Sequence, residues 1–281
     1  MIIRRLKLFF CAFLALVLCG CQQAYFRALN LGIGEGRTVE FDREHRLSLD
    51  IYRPAGVQLN APVVVFFYGG SWRSGDRAYY RFVGQALARR GVLAIIPDYR
   101  KAPDHPFPDF MLDAASAVAW TRNNVAASGG DRSRIFLMGH SAGAQIAALL
   151  ATDGRYLATH GLRPRDLAGV IGLAGPYDFL PLTEPAIKQA LGPSIGWRNT
   201  QPINFVDGDE PPFLLLQGDV DKRVDPGNAP RFAERLRAHG VSVTLTIVPG
   251  VGHVAMLNGF YSTRWSPALQ DSVEWIAQHA R

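Results

Sequence analysis

Cysteine is scarce in this sequence and is confined to one end of it. The three cysteines, Cys11, Cys19 and Cys21, all fall within the first 21 of 281 positions. The rest of the chain therefore cannot form an internal disulfide. It also lacks an H-E-x-x-H sequence or a paired-cysteine cluster, so neither a metal nor an organic cofactor is expected. Stability must come from an apolar core, and a chain that is 48% hydrophobic with 16 Phe and 5 Trp can bury a large one.

A strong charge of one sign and a long apolar run are also missing. The net charge of +6 includes Arg4, Arg5 and Lys7, and without these three cations +3 remains, which disfavours a nucleic-acid partner. The apolar stretch Leu8 to Leu18 is too short to span a bilayer comfortably. Because no repeat, low-complexity tract or charge block divides residues 37–281, one domain is the simplest organisation.

The first 20 residues have the pattern of an export signal, with a basic start, an apolar core and small residues at the end. The sequence Leu18-Cys19-Gly20-Cys21 resembles a bacterial lipobox, in which cleavage before the last cysteine leaves its thiol to be acylated. Cys21 is therefore the predicted lipid anchor and residues 21–36 the predicted tether. In that class Gln22, in place of aspartate, indicates the periplasmic side of the outer membrane. An ordinary signal peptide is the alternative, and Arg4-Arg5 as a twin-arginine signal is a weaker one.

Beyond residue 37 the chain alternates between strand-like and helix-like segments. PVVVFFY and VLAIIP are continuous runs typical of strands buried on both faces, whereas RLSLDIYRP alternates like a half-exposed strand. Later strands are predicted at RIFLMG, GVIGLAG, FLLLQG and VSVTLTIV. Helices are predicted through Leu112 to Ala119, from Ser141 onwards, around Phe232 and Leu236, and from Ser266-Pro267 onwards. This pattern predicts an α/β fold whose mostly parallel central sheet is covered by helices on both faces.

The sequence GHSAG, residues 139–143, lies between the predicted strand RIFLMG and a helix. That junction is the context of a nucleophile elbow, in which a sharp turn lifts a serine above the sheet. A side chain at Gly139 or Gly143 would collide with the backbone of so tight a turn, and the N–H of Ala142 can face an oxyanion from the helix N-terminus. Ser141 is the candidate nucleophile, and a structural turn serine is the alternative.

A serine hydroxyl needs a base to remove its proton and a carboxylate to orient that base. Of the seven histidines, only His253 and His279 follow a late strand. His253 lies in a glycine-rich loop directly after VSVTLTIV, at the strand end where a sheet presents its functional groups. His279 lies in the last turn of the terminal helix, and His140 is expected to pack beneath the elbow. His253 is therefore the candidate base.

The loop after FLLLQG offers three carboxylates for the third position. Asp221, followed three residues later by Val224, matches the G-x-x-D-x-x-V pattern common at this point in α/β-hydrolases, so it is the favoured acid. Asp219 is the substitute, and Asp225 is expected to cap the next turn.

The sequence FFYGGSWRSGD supplies a loop that can stabilise an anionic intermediate. Gly69 and Gly70 let the backbone approach a substrate, so the N–H groups of Gly70 and Ser71 can point at an oxyanion beside that of Ala142. The alternative is a plain glycine turn in which Trp72 fills the core.

Taken in order, these segments resemble the hormone-sensitive-lipase-like carboxylesterases of the α/β-hydrolase group, with their HGG(x)W loop, GxSxG elbow, late Asp and late His. GGDRSRIFLMGHSAGAQIA and IIPDYR are similar to feruloyl-esterase-related esterases, kynurenine formamidases and isoprenylcysteine methylesterases. The resemblance runs from about Leu47 to Gln278. It departs at Tyr68, where the family commonly has a histidine that orients the oxyanion loop. A tyrosine hydroxyl can hydrogen-bond in its place, so the departure bears on efficiency or substrate scope.

The resemblance implies a serine carboxylesterase that hydrolyses small or medium esters through an acyl-enzyme, without a cofactor. An arylformamidase-like amidase and a non-catalytic envelope binding scaffold are the alternatives. The expected partners are a small-molecule ester and, through Cys21, a membrane.

Residues 180–212 are the least regular part of the sequence and are predicted to form a small cap or active-site loop. Apolar residues in this segment either line a substrate pocket or only pack structurally, and they include Ile187, Leu191, Ile195 and Trp197.

Overall fold

The computed structural model describes residues 24–56 and 60–280. The predicted export signal and the predicted anchor Cys21 lie outside the described residues. Within those residues, no helix combines the length and the apolar character that a membrane crossing requires.

The described residues contribute eight strands to one sheet. The strands are β1 (Arg37–Asp42), β2 (Leu47–Tyr52), β3 (Ala61–Phe67), β4 (Leu93–Pro97), β5 (Gly130–His140), β6 (Gly169–Leu173), β7 (Phe213–Gly218) and β8 (Val243–Val248). Their order in the sheet is β1-β2-β4-β3-β5-β6-β7-β8. β2 pairs antiparallel with β1 and β4, and every other neighbouring pair is parallel. The predicted mostly parallel sheet is confirmed.

Helices cover both faces of this sheet. They are α1 (residues 24–29), α2 (Arg81–Arg89), α3 (Asp109–Asn124), α4 (Ala142–Thr152), α5 (Arg155–Ala158), α6 (Pro185–Leu191), α7 (Asn228–Ala238) and α8 (Ala268–His279). α2 contacts α8 on one face, whereas α3 contacts α4 and α5 on the other. The apolar runs predicted as buried strands form β3 and β4, which are almost entirely inaccessible to solvent because helices lie above and below them.

β2 differs from the half-exposed strand that its alternating sequence predicts. It lies inside the sheet between β1 and β4, and Asp50 on its polar face is buried. This carboxylate accepts hydrogen bonds from Thr38 at 2.7 Å and from the Arg77 guanidinium at 3.1 Å. The polar positions of this strand are therefore not exposed to solvent. Their carboxylate instead obtains its hydrogen bonds from Thr38 and from the ion pair with Arg77.

Residues 24–36 differ from the predicted tether. Phe26 and Leu29 in α1 are buried, and the Phe26 ring packs 5.0 Å from the Tyr80 ring and 6.3 Å from the Phe82 ring. The side chain of Asn30 donates to the carbonyl of Tyr79 at 2.9 Å and accepts from the N–H of Phe82 at 3.0 Å. Two apolar residues three positions apart put one stripe of α1 into the core, and so the segment belongs to the folded domain.

Candidate active site

The elbow at Ser141 joins the end of β5 to the start of α4. Ser141 has φ 57° and ψ −124°, a conformation that few residues other than glycine adopt. Its N–H donates to the carbonyl of Leu173 in β6 at 3.0 Å, and its own carbonyl accepts from Ala144 at 2.9 Å. The strained residue is thus held by the neighbouring strand and by the first turn of α4.

Two glycines leave room for this turn, as the sequence predicts. A Cβ on Gly143 would lie 2.0 Å from the carbonyl oxygen of Phe67, and one on Gly139 would lie 2.1 Å from the carbonyl oxygen of Gly143. Both distances are far below van der Waals contact with backbone atoms, which cannot rotate away as a side chain can. The close passage of β3, β5 and α4 therefore requires glycine at both positions.

The structure brings Ser141, His253 and Asp221 into one hydrogen-bonded row. The Ser141 Oγ lies 2.8 Å from His253 Nε2, and His253 Nδ1 lies 2.7 Å from Asp221 Oδ2. The three residues follow β5, β8 and β7, whose parallel carboxyl ends meet at one edge of the sheet. An ionised Asp221 accepts a hydrogen bond from Nδ1–H of His253, so Nε2 carries no proton and accepts a hydrogen bond from the serine hydroxyl.

Hydrogen-bond donors surround the carboxylate of Asp221. Its side chain is buried, and Oδ1 accepts from the N–H of Arg223 at 2.8 Å and of Val224 at 3.0 Å. Burial by itself raises the pKa of this carboxyl, but the hydrogen bonds from His253, Val224 and Arg223 outweigh it and hold the pKa below its usual value. The carboxylate is therefore ionised at neutral pH and can orient the imidazole.

The other two carboxylates of this loop have different partners. Asp219 accepts from the N–H of Gly250 at 2.7 Å and so fixes the loop that leads to His253. Asp225 accepts from Gly227 at 3.0 Å and from the Arg231 guanidinium at 3.1 Å, at the turn before α7. Asp225 thus occupies the turn position that the sequence predicts for it.

The three residues predicted to supply oxyanion donors lie around the cavity beside Ser141. Gly70, Ser71 and Ala142 all line that cavity, and none of their N–H groups has an acceptor among residues 24–56 and 60–280. Gly70 has φ 135° and Ser71 φ 53°, and a Cβ on Gly70 would lie 2.1 Å from the carbonyl oxygen of Ser74. The tight turn thus leaves backbone donors beside Ser141 that a bound oxyanion can use.

The cavity over Ser141 has a volume of about 640 Å³, within the usual range for small-molecule sites. Trp72 lines the cavity, and its ring stacks 5.9 Å from Phe179 and 6.3 Å from Phe110. Its indole N–H donates to Gln145 in α4 at 2.9 Å, which fixes the ring plane. Apolar side chains from the segment 176–187 also line the cavity, namely Pro176, Leu180, Pro181, Leu182 and Ile187.

The family model BD-FAE matches residues 49–236 of this sequence. The chain belongs to the BD-FAE family. Esterase LipC of Mycobacterium tuberculosis is 35% identical over 227 residues, which cover 73% of this chain and 56% of LipC. Carboxylesterase NlhH of the same species is 41% identical over 239 residues, which cover 78% of this chain and 74% of NlhH. The isoprenylcysteine alpha-carbonyl methylesterase ICME of Arabidopsis thaliana is 28% identical, with 77% of this chain and 56% of ICME covered. This BD-FAE chain therefore spans only about half the length of LipC and about half the length of ICME.

Solved structures share the fold of this BD-FAE protein. Apo Thermogutta terrifontis esterase 2 superposes with a TM-score of 0.74 at 24% identity, with 88% of this chain and 95% of the esterase covered. A truncated carbohydrate esterase from gut microbiota gives a TM-score of 0.74 at 20% identity, with 88% of this chain and 96% of the esterase covered. The predicted α/β-hydrolase fold and the predicted family resemblance are both confirmed.

Tyr68, where the chain departs from the expected histidine, lies beneath the oxyanion loop. Its hydroxyl donates to Asp98 at 3.1 Å, and Asp98 in turn pairs with Arg77. The Tyr68 ring stacks 5.5 Å from Tyr80 and 4.7 Å from Tyr99. Tyr68 is wholly buried, and burial raises the pKa of its phenol well above the usual value. In this BD-FAE protein the position therefore supports the loop from below as a neutral hydrogen-bond donor.

His140 packs under the elbow, as the sequence predicts. Its Nε2–H donates to the carbonyl of His253 at 3.0 Å, and the two rings lie 4.8 Å apart. Burial and the nearby His253 lower the pKa of His140 to about 3. A neutral His140 thus positions the backbone of the candidate base without placing a second charge beside it. His279, the other late histidine, donates instead to the carbonyl of Trp275 at 2.8 Å.

Only the first part of the segment 180–212, up to Ile187, lines the cavity. Of the four residues considered, only Ile187 lines the cavity. Leu191 is buried elsewhere, Ile195 is 94% exposed, and the indole N–H of Trp197 donates to the carbonyl of Gly192 at 2.9 Å. Leu191 and Trp197 therefore pack structurally against the core, whereas Ile195 neither lines the cavity nor packs.

Sequence reasoning missed the residues directly after β6 that shape the cavity. Pro176 and Phe179 line it, and they belong to the stretch GPYDFL that follows the strand. The signal was present, because GVIGLAG is a predicted parallel strand and its carboxyl end must reach the same edge of the sheet as Ser141.

Proposed function

We propose that the protein is a serine carboxylesterase that hydrolyses small or medium carboxylic esters through an acyl-enzyme. The observation that carries the proposal is the row of hydrogen bonds from Asp221 through His253 to Ser141, at a cavity that Gly70, Ser71 and Ala142 also line. The names of LipC, NlhH and ICME support ester hydrolysis as the reaction class.

In the first half of the proposed reaction, Ser141 Oγ attacks the ester carbonyl carbon as its proton passes to His253 Nε2. Asp221 keeps its negative charge and stabilises the imidazolium that forms. The carbonyl oxygen becomes an oxyanion, for which the N–H groups of Gly70, Ser71 and Ala142 are the available donors. The intermediate collapses when His253 returns the proton to the leaving alcohol oxygen, which leaves the acyl group on Ser141.

The second half repeats these steps with water. His253 takes a proton from water, the hydroxide oxygen adds to the acyl carbon, and the same N–H groups hold the second oxyanion. Collapse releases the carboxylic acid and returns the proton to Ser141. Trp72 and Phe179 line the cavity with stacked rings 5.9 Å apart, and we expect such aromatic side chains to favour an aryl ring or a short acyl chain.

Hydrolysis of p-nitrophenyl esters from acetate to longer acyl chains tests the proposal. Ser141→Ala should lower kcat/KM by at least about 10⁴-fold and abolish labelling by a fluorophosphonate, since the nucleophile is gone. Ser116→Ala is the matched control and should leave both unchanged, because this half-buried serine of α3 contacts His160 and does not line the cavity. A folded wild-type protein with neither turnover nor labelling would favour the binding scaffold, and faster cleavage of formanilides than of esters would favour the amidase.

We also propose that the protein is exported and held at a membrane through acyl chains on Cys21, on the periplasmic side of the outer membrane in a Gram-negative cell. The lipobox-like sequence Leu18 to Cys21 after a basic and apolar leader supports this. Mass spectrometry of the amino-terminal peptide tests it. A peptide that begins at Cys21 and carries fatty acids supports the anchor, whereas a free Cys21 thiol contradicts it.

A further inference from the structure

An exposed aromatic pair lies just after the 3-10 helix Val254–Phe260, which follows the candidate base. Tyr261 and Trp265 are 55% and 53% exposed, and their rings stack 5.6 Å apart at 13°. Leu31, 79% exposed, lines a shallow groove together with Tyr261. Contiguous apolar groups at the surface of a folded protein commonly mark an interaction site.

The same surface is strongly basic. The three chain segments that form it, 24–36, 81–91 and 254–267, contain five arginines and a single acid, Glu35, which pairs with Arg81 at 2.7 Å. Arg89 lines the groove beside Leu31 and Tyr261, and Arg264 precedes Trp265. We name this patch the basic aromatic surface; its members are Arg27, Leu31, Arg89, Tyr261, Arg264 and Trp265.

The amino-terminal end of the described chain lies on this surface. α1 is fixed to the domain by its buried Phe26, and the hydroxyl of Tyr25 donates to Asn258, three residues before Tyr261. Cys21 precedes Ala24 by three positions, and an extended chain spans at most about 3.5 Å per residue, so Cys21 can be no more than about 11 Å from Ala24. An acylated Cys21 would therefore hold this side of the domain against the bilayer.

We propose that the basic aromatic surface docks on a lipid bilayer that contains anionic headgroups, and so fixes the orientation of the anchored enzyme. This inference rests on the proposed anchoring at Cys21. Tyrosine and tryptophan are the side chains that settle at the level of the headgroups, where their rings meet acyl chains and their polar atoms meet water. Arginines around them are attracted to anionic lipids, each by a contribution that adds to that of the acyl anchor.

Tryptophan fluorescence in reconstituted vesicles tests the docking. The purified full-length protein is incorporated into vesicles of phosphatidylcholine with 30% phosphatidylglycerol, in which part of the lipid carries bromine on its acyl chains as a short-range quencher. Trp265→Phe should lose most of the quenching, because Trp265 is the exposed tryptophan of the basic aromatic surface. Trp120→Phe on α3, on the opposite face of the sheet, is the matched control and should retain it.

The charge of the surface is tested with the triple variant R27Q/R89Q/R264Q and with vesicles of phosphatidylcholine alone. The triple variant and the uncharged vesicles should each lower the quenching of Trp265 at least twofold. Addition of 0.5 M salt should have the same effect, because each of the three conditions weakens the attraction between the arginines and the headgroups. The substituted side chains are exposed, so the variants should keep the wild-type melting temperature.

The outcomes separate this proposal from the others. Equal quenching of wild type and Trp265→Phe would overturn the docking. Protection of Trp265 from aqueous acrylamide without quenching by brominated lipid would mean that a second copy of the chain covers the patch, and would overturn it as well. If mass spectrometry shows a free Cys21 thiol, the protein can still be added to the same vesicles. Quenching of Trp265 by brominated lipid then tests whether the basic aromatic surface binds the bilayer without the acyl anchor. Ester hydrolysis is not used in any of these readouts.

Discussion

Three aspartates in one loop could orient His253, and hydrogen-bond geometry separates them. Asp221 lies 2.7 Å from His253 Nδ1 and is itself held by two backbone N–H groups. Asp219 is only two residues away, yet it binds the N–H of Gly250. Because a carboxylate that orients an imidazole must itself be immobile, the donors around Asp221 matter as much as its distance.

Asp221→Asn should lower kcat/KM of p-nitrophenyl ester hydrolysis by about 10³- to 10⁴-fold, since an amide at this position no longer holds the imidazole in the required tautomer. Asp219→Asn is the matched variant and should cost less than about 10-fold, the scale of one lost hydrogen bond in the loop. A larger loss for Asp219→Asn than for Asp221→Asn would reassign the acid.

His140 should make stability depend on pH. Its pKa is about 3 in the folded protein, against about 6.5 in an unfolded chain. Between these values the unfolded state binds more protons, so stability is complete above pH 6.5 and falls as the pH drops towards 3. We expect His140 to account for about 2 to 3 kcal/mol of the stability lost between pH 7 and pH 4.5.

Urea denaturation at the two pH values measures this effect of His140. His140→Gln, which keeps a donor but cannot titrate, should show correspondingly less loss on acidification than the wild type. His160→Gln replaces an exposed histidine and should retain the wild-type dependence. Identical pH profiles for wild type and His140→Gln would contradict the low pKa.

At the scale of elements, the elbow depends on how closely three backbones approach. β3 passes so near the start of α4 that a Cβ on Gly143 would meet the carbonyl oxygen of Phe67. Main-chain atoms inside a sheet cannot yield without breaking ladder hydrogen bonds, so the contact has no inexpensive relaxation.

Gly143→Ala should therefore destabilise the protein by at least about 2 kcal/mol and displace Ser141 enough to remove most esterase activity. Thermal unfolding and turnover of the same sample measure both effects. Gly154→Ala is the control, because the nearest atom to its new Cβ is a proline ring carbon at 3.4 Å and its φ of −60° suits alanine. A fully active, stable Gly143→Ala protein would show that β3 and α4 lie further apart.

At the scale of the whole molecule, the amino-terminal segment is part of the hydrolase domain rather than an appendage. α1 packs against the face of the sheet that carries α2, and Asn30 ties it to α2 through its side chain. Residues 24–36 are therefore fixed to the domain by a buried ring and by side-chain hydrogen bonds.

Phe26→Ala should lower the free energy of unfolding by about 3 kcal/mol, because it removes a buried aromatic ring and leaves a cavity between Tyr80 and Phe82. Leu31→Ala in the same segment should cost less than about 0.5 kcal/mol, since that side chain is largely exposed. Urea denaturation of both variants measures the difference. Equal, small effects would mean that α1 is not docked in solution.

The sequence alone was enough to predict most of the fold and the residues of the candidate site. Buried parallel strands appear as unbroken apolar runs, and parallel strands present their carboxyl ends at a common edge. For that reason Ser141, Asp221 and His253 could each be assigned from the strand that precedes it. Local chemistry also identified Gly139 and Gly143 as necessary to a tight turn.

Other features depended on contacts between residues distant in the sequence. The burial of Phe26 requires Tyr80 and Phe82, and the buried Asp50 of β2 requires Arg77, so neither was visible in local pattern. The cavity wall after β6 likewise arises only when the strand ends meet. The periodicity of apolar residues along the sequence predicts which helices and strands form. The partners of a single buried side chain are determined only when those helices and strands pack together.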